Sequence, residues 1–196
     1  MNQEILKTLA AVRSKRIEKT GLVPAAVLVP LLKDRNEQHI LFIRRSKSVK
    51  DHKGEISFPG GVVESGDPAL LDTALRECNE EIGLAPADVT VLGQLDDIET
   101  ASTGYLISPF VGLIPYPYAF QVNADEIEAL IIVPLEALLK PSTSRRHTGS
   151  GEDPQIPAPI FRYEDHIIWG ATARILLQLV DLIAHSTSAH LTSNAT

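Results

Sequence analysis

Three carboxylates crowded between positions 77 and 81 are the part of this chain best suited to chemistry: Glu77, Glu80 and Glu81. The segment Pro68 to Ile82 has helical periodicity. An advance of about 100° per residue gathers Leu71, Ala74, Leu75, Cys78 and Ile82 on one side. Thr73, Arg76, Glu77, Glu80 and Glu81 gather on the other. Glu77 and Glu81 then stack one turn apart with Glu80 beside them, and such like-charge pairs cost some tenths of a kcal/mol each. A hard cation such as Mg²⁺ prefers oxygen ligands of this kind and keeps waters and substrate phosphates as its remaining partners. On the helix alone, a solvated acidic face is the plainer reading. What shifts the balance is the flanking pair Gly60-Gly61 and the segment that follows it.

The run from Gly61 to Leu84 resembles the Nudix box, G-x5-E-x7-R-E-U-x-E-E-x-G-U with U apolar. Arg76-Glu77-Cys78-Asn79-Glu80-Glu81-Ile82-Gly83-Leu84 fits the second half at every specified position, with Cys78 in the apolar slot. Asp67 stands where the first glutamate is expected, and eight residues rather than seven separate it from Arg76. The resemblance implies an α/β fold, the Nudix α/β/α sandwich with a mixed β-sheet between helices. It implies Glu77 and Glu81 as principal metal ligands, with Glu80 as a further ligand or part of the network that activates water. Arg76 would orient the carboxylates by charge-assisted hydrogen bonds, and Gly61 would let the backbone approach the metal. Asp67 is read as a helix cap.

Upstream, Leu41-Phe42-Ile43-Arg44-Arg45-Ser46, Lys50, Gly54 and Phe58-Pro59-Gly60-Gly61 resemble the second signature of the coenzyme A pyrophosphatase subgroup, L-L-T-x-R-S-x3-R-x3-G-x3-F-P-G-G. Phe42 and Ile43 replace Leu and Thr. Lys50 replaces Arg, which keeps the charge and loses the bidentate fork. That subgroup carries the extra box residue as well. Similarity continues through Gly104-Tyr105, Ser108 to Gly112, Glu126-Ile127, Val133 to Leu135 and Ile168 to Ile175, covering residues 22–184. What this implies is Mg²⁺- or Mn²⁺-dependent hydrolysis of the coenzyme A diphosphate to 4'-phosphopantetheine and adenosine 3',5'-bisphosphate.

The catalytic set on this reading is Glu80, Glu81, Glu126 and Arg76, with Glu80 or Glu126 as the base. Arg45, Ser46, Lys50, His52, Gly60 and Gly61 are the substrate-side candidates. For Lys50 a place on a solvated loop weighs as much as a phosphate contact, for His52 an ordinary surface position outweighs it, and for Glu126 a plain surface position weighs as much as a catalytic one. Arg145, Arg146 and His147 form a basic cluster, read first as loop charge. Phe58, Tyr105 and Trp169 could stack on adenine but are read first as core or structural side chains. Cys78, on the apolar helix face, is a packed thiol. Two rival functions stay open: a Nudix diphosphatase for ADP-ribose, a dinucleotide or a damaged nucleotide, and a non-catalytic Nudix-like regulator. The second typically loses the box glutamates that this chain keeps.

The elements that must hold these residues follow from hydrophobic periodicity and turn signals. A helix is expected over 3–19, then a hairpin of strands 22–32 and 39–45. The acidic helix starts with Asp67 as N-cap and Pro68 at its first position, and Gly83 ends it. Strands are expected at 89–95, 105–114 and 127–133, with a short helix at 135–139. A loop over 142–159, a short hairpin over 161–169 and a closing helix over 170–185 complete the chain. The domain expectation is an N-terminal helical extension (1–20), a hydrolase domain (21–185) and a disordered tail (186–196).

Bulk properties narrow the function classes. With 196 residues, 44% of them hydrophobic, the chain can bury a sizeable core. The formal net charge of -7 argues against a general nucleic-acid binder, but not against a phosphorylated small molecule, because a bound cation reverses the local field. One cysteine forbids an internal disulfide and a cysteine zinc cage and suits a reducing compartment. No apolar run reaches membrane-span length. The expectation is a cytoplasmic enzyme with a small-molecule substrate and no nucleic-acid or membrane partner, a homodimer being allowed.

Overall fold

Alternation with a period of two along the first two strands divides the interior into two layers. In the computed structural model, which describes residues 3–19, 21–35, 37–47, 53–100, 103–140, 143–147 and 158–193, these strands are β1 (Val23–Asp34) and β2 (Glu37–Arg45). Ala26, Leu28, Leu32, Leu41 and Ile43 point to one face, and Val29, Leu31, Ile40 and Phe42 to the other. All nine are buried, so neither face of the sheet meets water there. Long apolar strands of this kind belong at the centre of a sheet covered on both sides.

The remaining elements, in chain order, are α1 (Gln3–Ala11), before the hairpin, then β3 (Ile56–Ser57), β4 (Gly60–Val62) and α2 (Leu70–Ile82). A 3₁₀ turn (Pro86–Asp88), β5 (Thr90–Gln94), β6 (Ile98–Glu99), β7 (Tyr105–Ile114), β8 (Ile127–Pro134) and α3 (Leu135–Leu139) follow. The chain closes with β9 (Ser144–His147), β10 (Ala158–Tyr163), β11 (His166–Ile168) and α4 (Gly170–Ser193). Strands β1 to β8 form one mixed sheet. β1 runs parallel to β7 from Val23/Tyr105 to Leu32/Ile114 and antiparallel to its other partners. α2 covers one face with Ala74, Cys78 and Ile82. α4 covers the other with Ala173, Ile175, Leu176, Leu179 and Ile183, joined there by Leu9 of α1. This is the expected α/β/α sandwich.

β1 changes partner along its length, and that opens the site. Its distal half pairs with β2 at Leu31–Asp34, while its proximal half pairs with β4 at Ala25–Val27. β2 keeps β8 along one edge from His39 to Arg45, with a bulge at Arg44/Arg45, and past its pairing with β1 takes β3 on the other edge at Ile43 and Arg44. Gly60 and Gly61 are thereby set beside β1 at one end of the sheet, next to the end of β2 that carries Arg45.

Several boundaries differ from expectation. α1 stops at Ala11, because residues 12–19 bond to the loop before β6. Lys15 N–H donates to Asp96 Oδ1 (2.6 Å), Ile17 N–H to Asp97 Oδ2 (3.0 Å), and Asp97 N–H to Lys15 O (3.0 Å). Lys19 pairs with Glu99. Carboxylates thus capture the backbone donors that a longer helix would have used. The 142–159 segment includes a strand, β9, paired with β10. The closing helix runs past His185 to Ser193, where a tail without structure was expected. No helix among the described residues is long and apolar enough to cross a membrane.

Candidate active site

α2 starts two residues later than its sequence suggests. Ala69, with extended backbone and no side-chain cap bond, is the N-cap, and Pro68 lies outside the helix. Asp67 is therefore not the cap. It accepts hydrogen bonds from Arg76 Nε (3.0 Å) and Nη2 (3.1 Å), from Thr73 Oγ1 (2.8 Å) and from Glu64 N–H (2.9 Å). A bidentate guanidinium is a stronger partner than a helix N–H, and it holds the Asp67 carboxyl well below the usual carboxylate range. Asp67 and Arg76 together pin the 61–67 loop to α2. At the other end Gly83 adopts the left-handed conformation and donates to Asn79 O (2.9 Å), ending the helix as expected.

Arg76 is the hub of the acidic face. Its Nη1 donates to Glu77 Oε1 (3.0 Å) and Glu80 Oε2 (3.1 Å), and its Nη2 also reaches Val62 O (3.1 Å). The three glutamates do not share one environment. Glu80 is exposed and turned to the Arg76 side. Glu77 is mostly buried against Gly61, where a Cβ would collide with its carboxylate, so only glycine admits it. Burial pushes the Glu77 pKa up, Arg76 opposes the shift, and Glu80 and Glu126 add to it.

Glu81 is 2% exposed. Its carboxylate accepts Gly60 N–H (3.0 Å), and Arg45 Nη1 stands 3.4 Å away. These partners fall short of offsetting desolvation, which raises its pKa to about 8, with Glu77 and Glu126 adding repulsion. Arg45 Nε is itself buried without a hydrogen-bond partner. Buried carboxylates with an all-oxygen donor set and too little positive charge nearby are what a hard divalent cation fits.

Glu126 reaches the same place from a different element. Gln121 N–H donates to Ile82 O (3.0 Å) and Asn123 N–H to Glu81 O (2.9 Å), so the loop before β8 is tied to the end of α2. Asn123 Nδ2 then donates to Glu126 Oε1 (3.1 Å). Glu77, Glu81, Glu126, Arg45, Gly60 and Gly61 all line one cleft of about 410 Å³. Glu80 does not line it. Ser46 does not either, and contributes a backbone N–H to Glu126 O (2.7 Å). Lys50 and His52 lie outside the described residues. So do the side chains of Arg145, Arg146 and His147, although their backbone forms part of β9. Cys78 is fully buried, and desolvation raises its thiol pKa, as befits a packed side chain.

The cleft also has walls that motif reading missed: Glu55, Ser57, Thr100, Thr103 and Thr172. Glu55 and Ser57 fall in an unspecified spacer of the upstream motif. Thr172 lies inside the Ile168 to Ile175 segment, where only likeness rather than chemistry singled it out. Among the described residues, Glu164, Asp165 and His166 bring three ligating atoms within 4.8 Å of one another at the β10–β11 turn. His166 Nδ1 is already hydrogen-bonded with Arg44 Nη2 (2.8 Å), away from the cleft.

Comparison with known proteins agrees with this geometry. A model of the NUDIX domain matches residues 22–149. The uncharacterized Nudix hydrolase NudL of Photorhabdus laumondii is 36% identical over 159 residues, covering 81% of this chain and 84% of that protein. The NudL of Yersinia pestis is 36% identical over 162 residues, covering 82% and 79%. Among solved structures, a MutT/nudix family protein from Enterococcus faecalis shares the fold, with a TM-score of 0.54 at 16% identity over 94% of this chain and 70% of that one. The glutamate-bearing helix, the arginine that binds it and the paired glycines therefore sit in a chain that belongs to the Nudix hydrolase family.

Proposed function

We propose that this Nudix hydrolase cleaves the diphosphate of coenzyme A, giving 4'-phosphopantetheine and adenosine 3',5'-bisphosphate. The observation that carries the reading is the meeting of two motifs in one cleft. Arg45 and the Phe58 to Gly61 turn of the upstream signature face Glu77 and Glu81 of the box, with Arg45 directly on Glu81. The retained Glu77, Glu80 and Glu81 of the box speak against a purely regulatory binder.

Glu77 and Glu81 are the residues that would hold a divalent ion, Mg²⁺ or Mn²⁺. When bound, such an ion neutralises charge on a diphosphate and lowers the pKa of a water molecule. Arg76 fixes Glu77 in place through its hydrogen bond. Arg45, beside Glu81 on the cleft wall and with its Nε buried without a hydrogen-bond partner, would be the donor for a phosphate oxygen. Glu126 takes the role of base, because it lines the cleft and is oriented by Asn123, whereas Glu80 is held outside by Arg76.

Purified protein with Mg²⁺ and separate samples of coenzyme A, ADP-ribose and a dinucleoside polyphosphate tests the assignment. Coenzyme A is expected to be turned over with at least about ten times the kcat/KM of the others, a difference of about 1.4 kcal/mol in transition-state binding. Equal turnover of ADP-ribose and coenzyme A would replace it with a broader nucleoside diphosphate derivative hydrolase.

A further inference from the structure

We propose that Trp169 is the platform on which the nucleobase of the substrate stacks, an inference that rests on the diphosphatase reading of the cleft. Of the three aromatic candidates, all of which line the cleft, Phe58 is committed to the core and Tyr105 is less exposed than Trp169. Phe58 is 3% exposed and stacks on Phe42 with ring centroids 4.8 Å apart, inside the core. Tyr105 is the first residue of β7, half-buried, with its backbone N–H and carbonyl both bonded to Thr100. Trp169 is 51% exposed and so is not a core side chain.

The backbone that carries this exposed ring is anchored. Trp169 lies between Ile168 and Gly170, at the junction of β11 and α4, and its carbonyl accepts Ala173 N–H (3.4 Å). Ile168 and Ala173 are both fully buried, so the backbone on each side is anchored in the core. An indole carried on an anchored backbone and half in water offers its face to a flat apolar partner. It lines the same cleft as Glu77, Glu81 and Glu126. It also lines a neighbouring cavity of about 350 Å³ with Arg44, Lys47 and Glu55. The ring therefore stands where the two hollows meet. A nucleoside diphosphate whose phosphates lie at the carboxylates has its base to place within this cleft, and Trp169 is its most exposed aromatic wall. Stacking is tolerant of base identity because every base presents a π-face, so Trp169 would select for a base over none rather than for adenine over guanine.

Trp169 is the only tryptophan in the chain, so indole emission reports on this position alone. AMP is titrated into the full-length protein, with ribose 5-phosphate and GMP in parallel, exciting at the red edge of the indole band where the bases do not absorb. Saturable quenching by AMP and GMP and none by ribose 5-phosphate is expected. Trp169→Ala is expected to raise KM for an adenosine diphosphate derivative on the order of 10-fold, with the change on KM rather than kcat, and Trp169→Phe to restore it. Emission unchanged by AMP, or equal quenching by ribose 5-phosphate, would overturn the stacking. If the wild type cleaves the diphosphate while AMP leaves the indole unmoved, this inference falls and the function stands. If no diphosphate is cleaved, the function falls and the titration still decides the stacking.

Discussion

At the scale of single residues, burial gives three similar glutamates different surroundings. Glu81 is buried and short of positive charge, Glu77 is half committed to Arg76, and Glu80 faces solvent. If Glu126 rather than Glu80 is the base, Glu126→Gln should lower kcat by on the order of 10²-fold, and Glu80→Gln by less than about 10-fold. Steady-state rates at saturating Mg²⁺ and substrate decide this, and the reverse ranking would return the role to Glu80. Glu81 also predicts a pH effect on the metal-free protein. Its folded pKa, near 8, lies above its ordinary 4.5, so the fold binds this proton more tightly than the unfolded chain. Below pH 4.5 both states hold the proton and nothing is lost. From there towards pH 8 the folded state loses stability, in total on the order of a few kcal/mol. Thermal melts in a chelator should show this decline, and Glu81→Gln should flatten it while cutting turnover by about 10²–10³-fold. A decline of the same size in the variant would mean another group titrates.

At the scale of elements, the site depends on how a loop and a strand meet α2. Gly61 lies on β4 where Glu77 packs onto the backbone. Gly61→Ala should displace that carboxylate and reduce activity at least about 10-fold while the melting temperature changes little. An unchanged rate would show that Glu77 need not sit there. Much of this scale was legible in the sequence. The β1–β2 hairpin, α2, β7, β8 and α3 follow from periodicity and turn residues, because their apolar sets are long enough to fix a period. β3, β4 and β6 were not legible. Two or three residues have no period, and they are strands only because β1 and β7 offer partners. The Asp67 cap also failed for a reason outside local sequence. Arg76 lies nine positions on, and its guanidinium outcompetes the helix end for the carboxylate.

At the scale of the whole molecule, the sheet is the frame that converges residues from α2, β2, β4 and the loop before β8 on one cleft. Motifs singled out Glu77, Glu81 and Arg45, and all three line that cleft. Glu126 gained its place through Asn123 and the end of α2, a tertiary link that no motif spells out. If the cation binds at Glu77 and Glu81, where these elements converge, Mg²⁺ at millimolar concentration should raise the melting temperature of the wild type and raise it less in Glu81→Gln. Equal shifts in both proteins would place the cation elsewhere.

The central claim, that this cleft hydrolyses the coenzyme A diphosphate, is tested most directly by product analysis after turnover with Mg²⁺ in ¹⁸O-water. The account predicts 4'-phosphopantetheine and adenosine 3',5'-bisphosphate in equal amounts, with one ¹⁸O carried by only one of them. Intact coenzyme A, or release of inorganic phosphate from its 3' position, would contradict it.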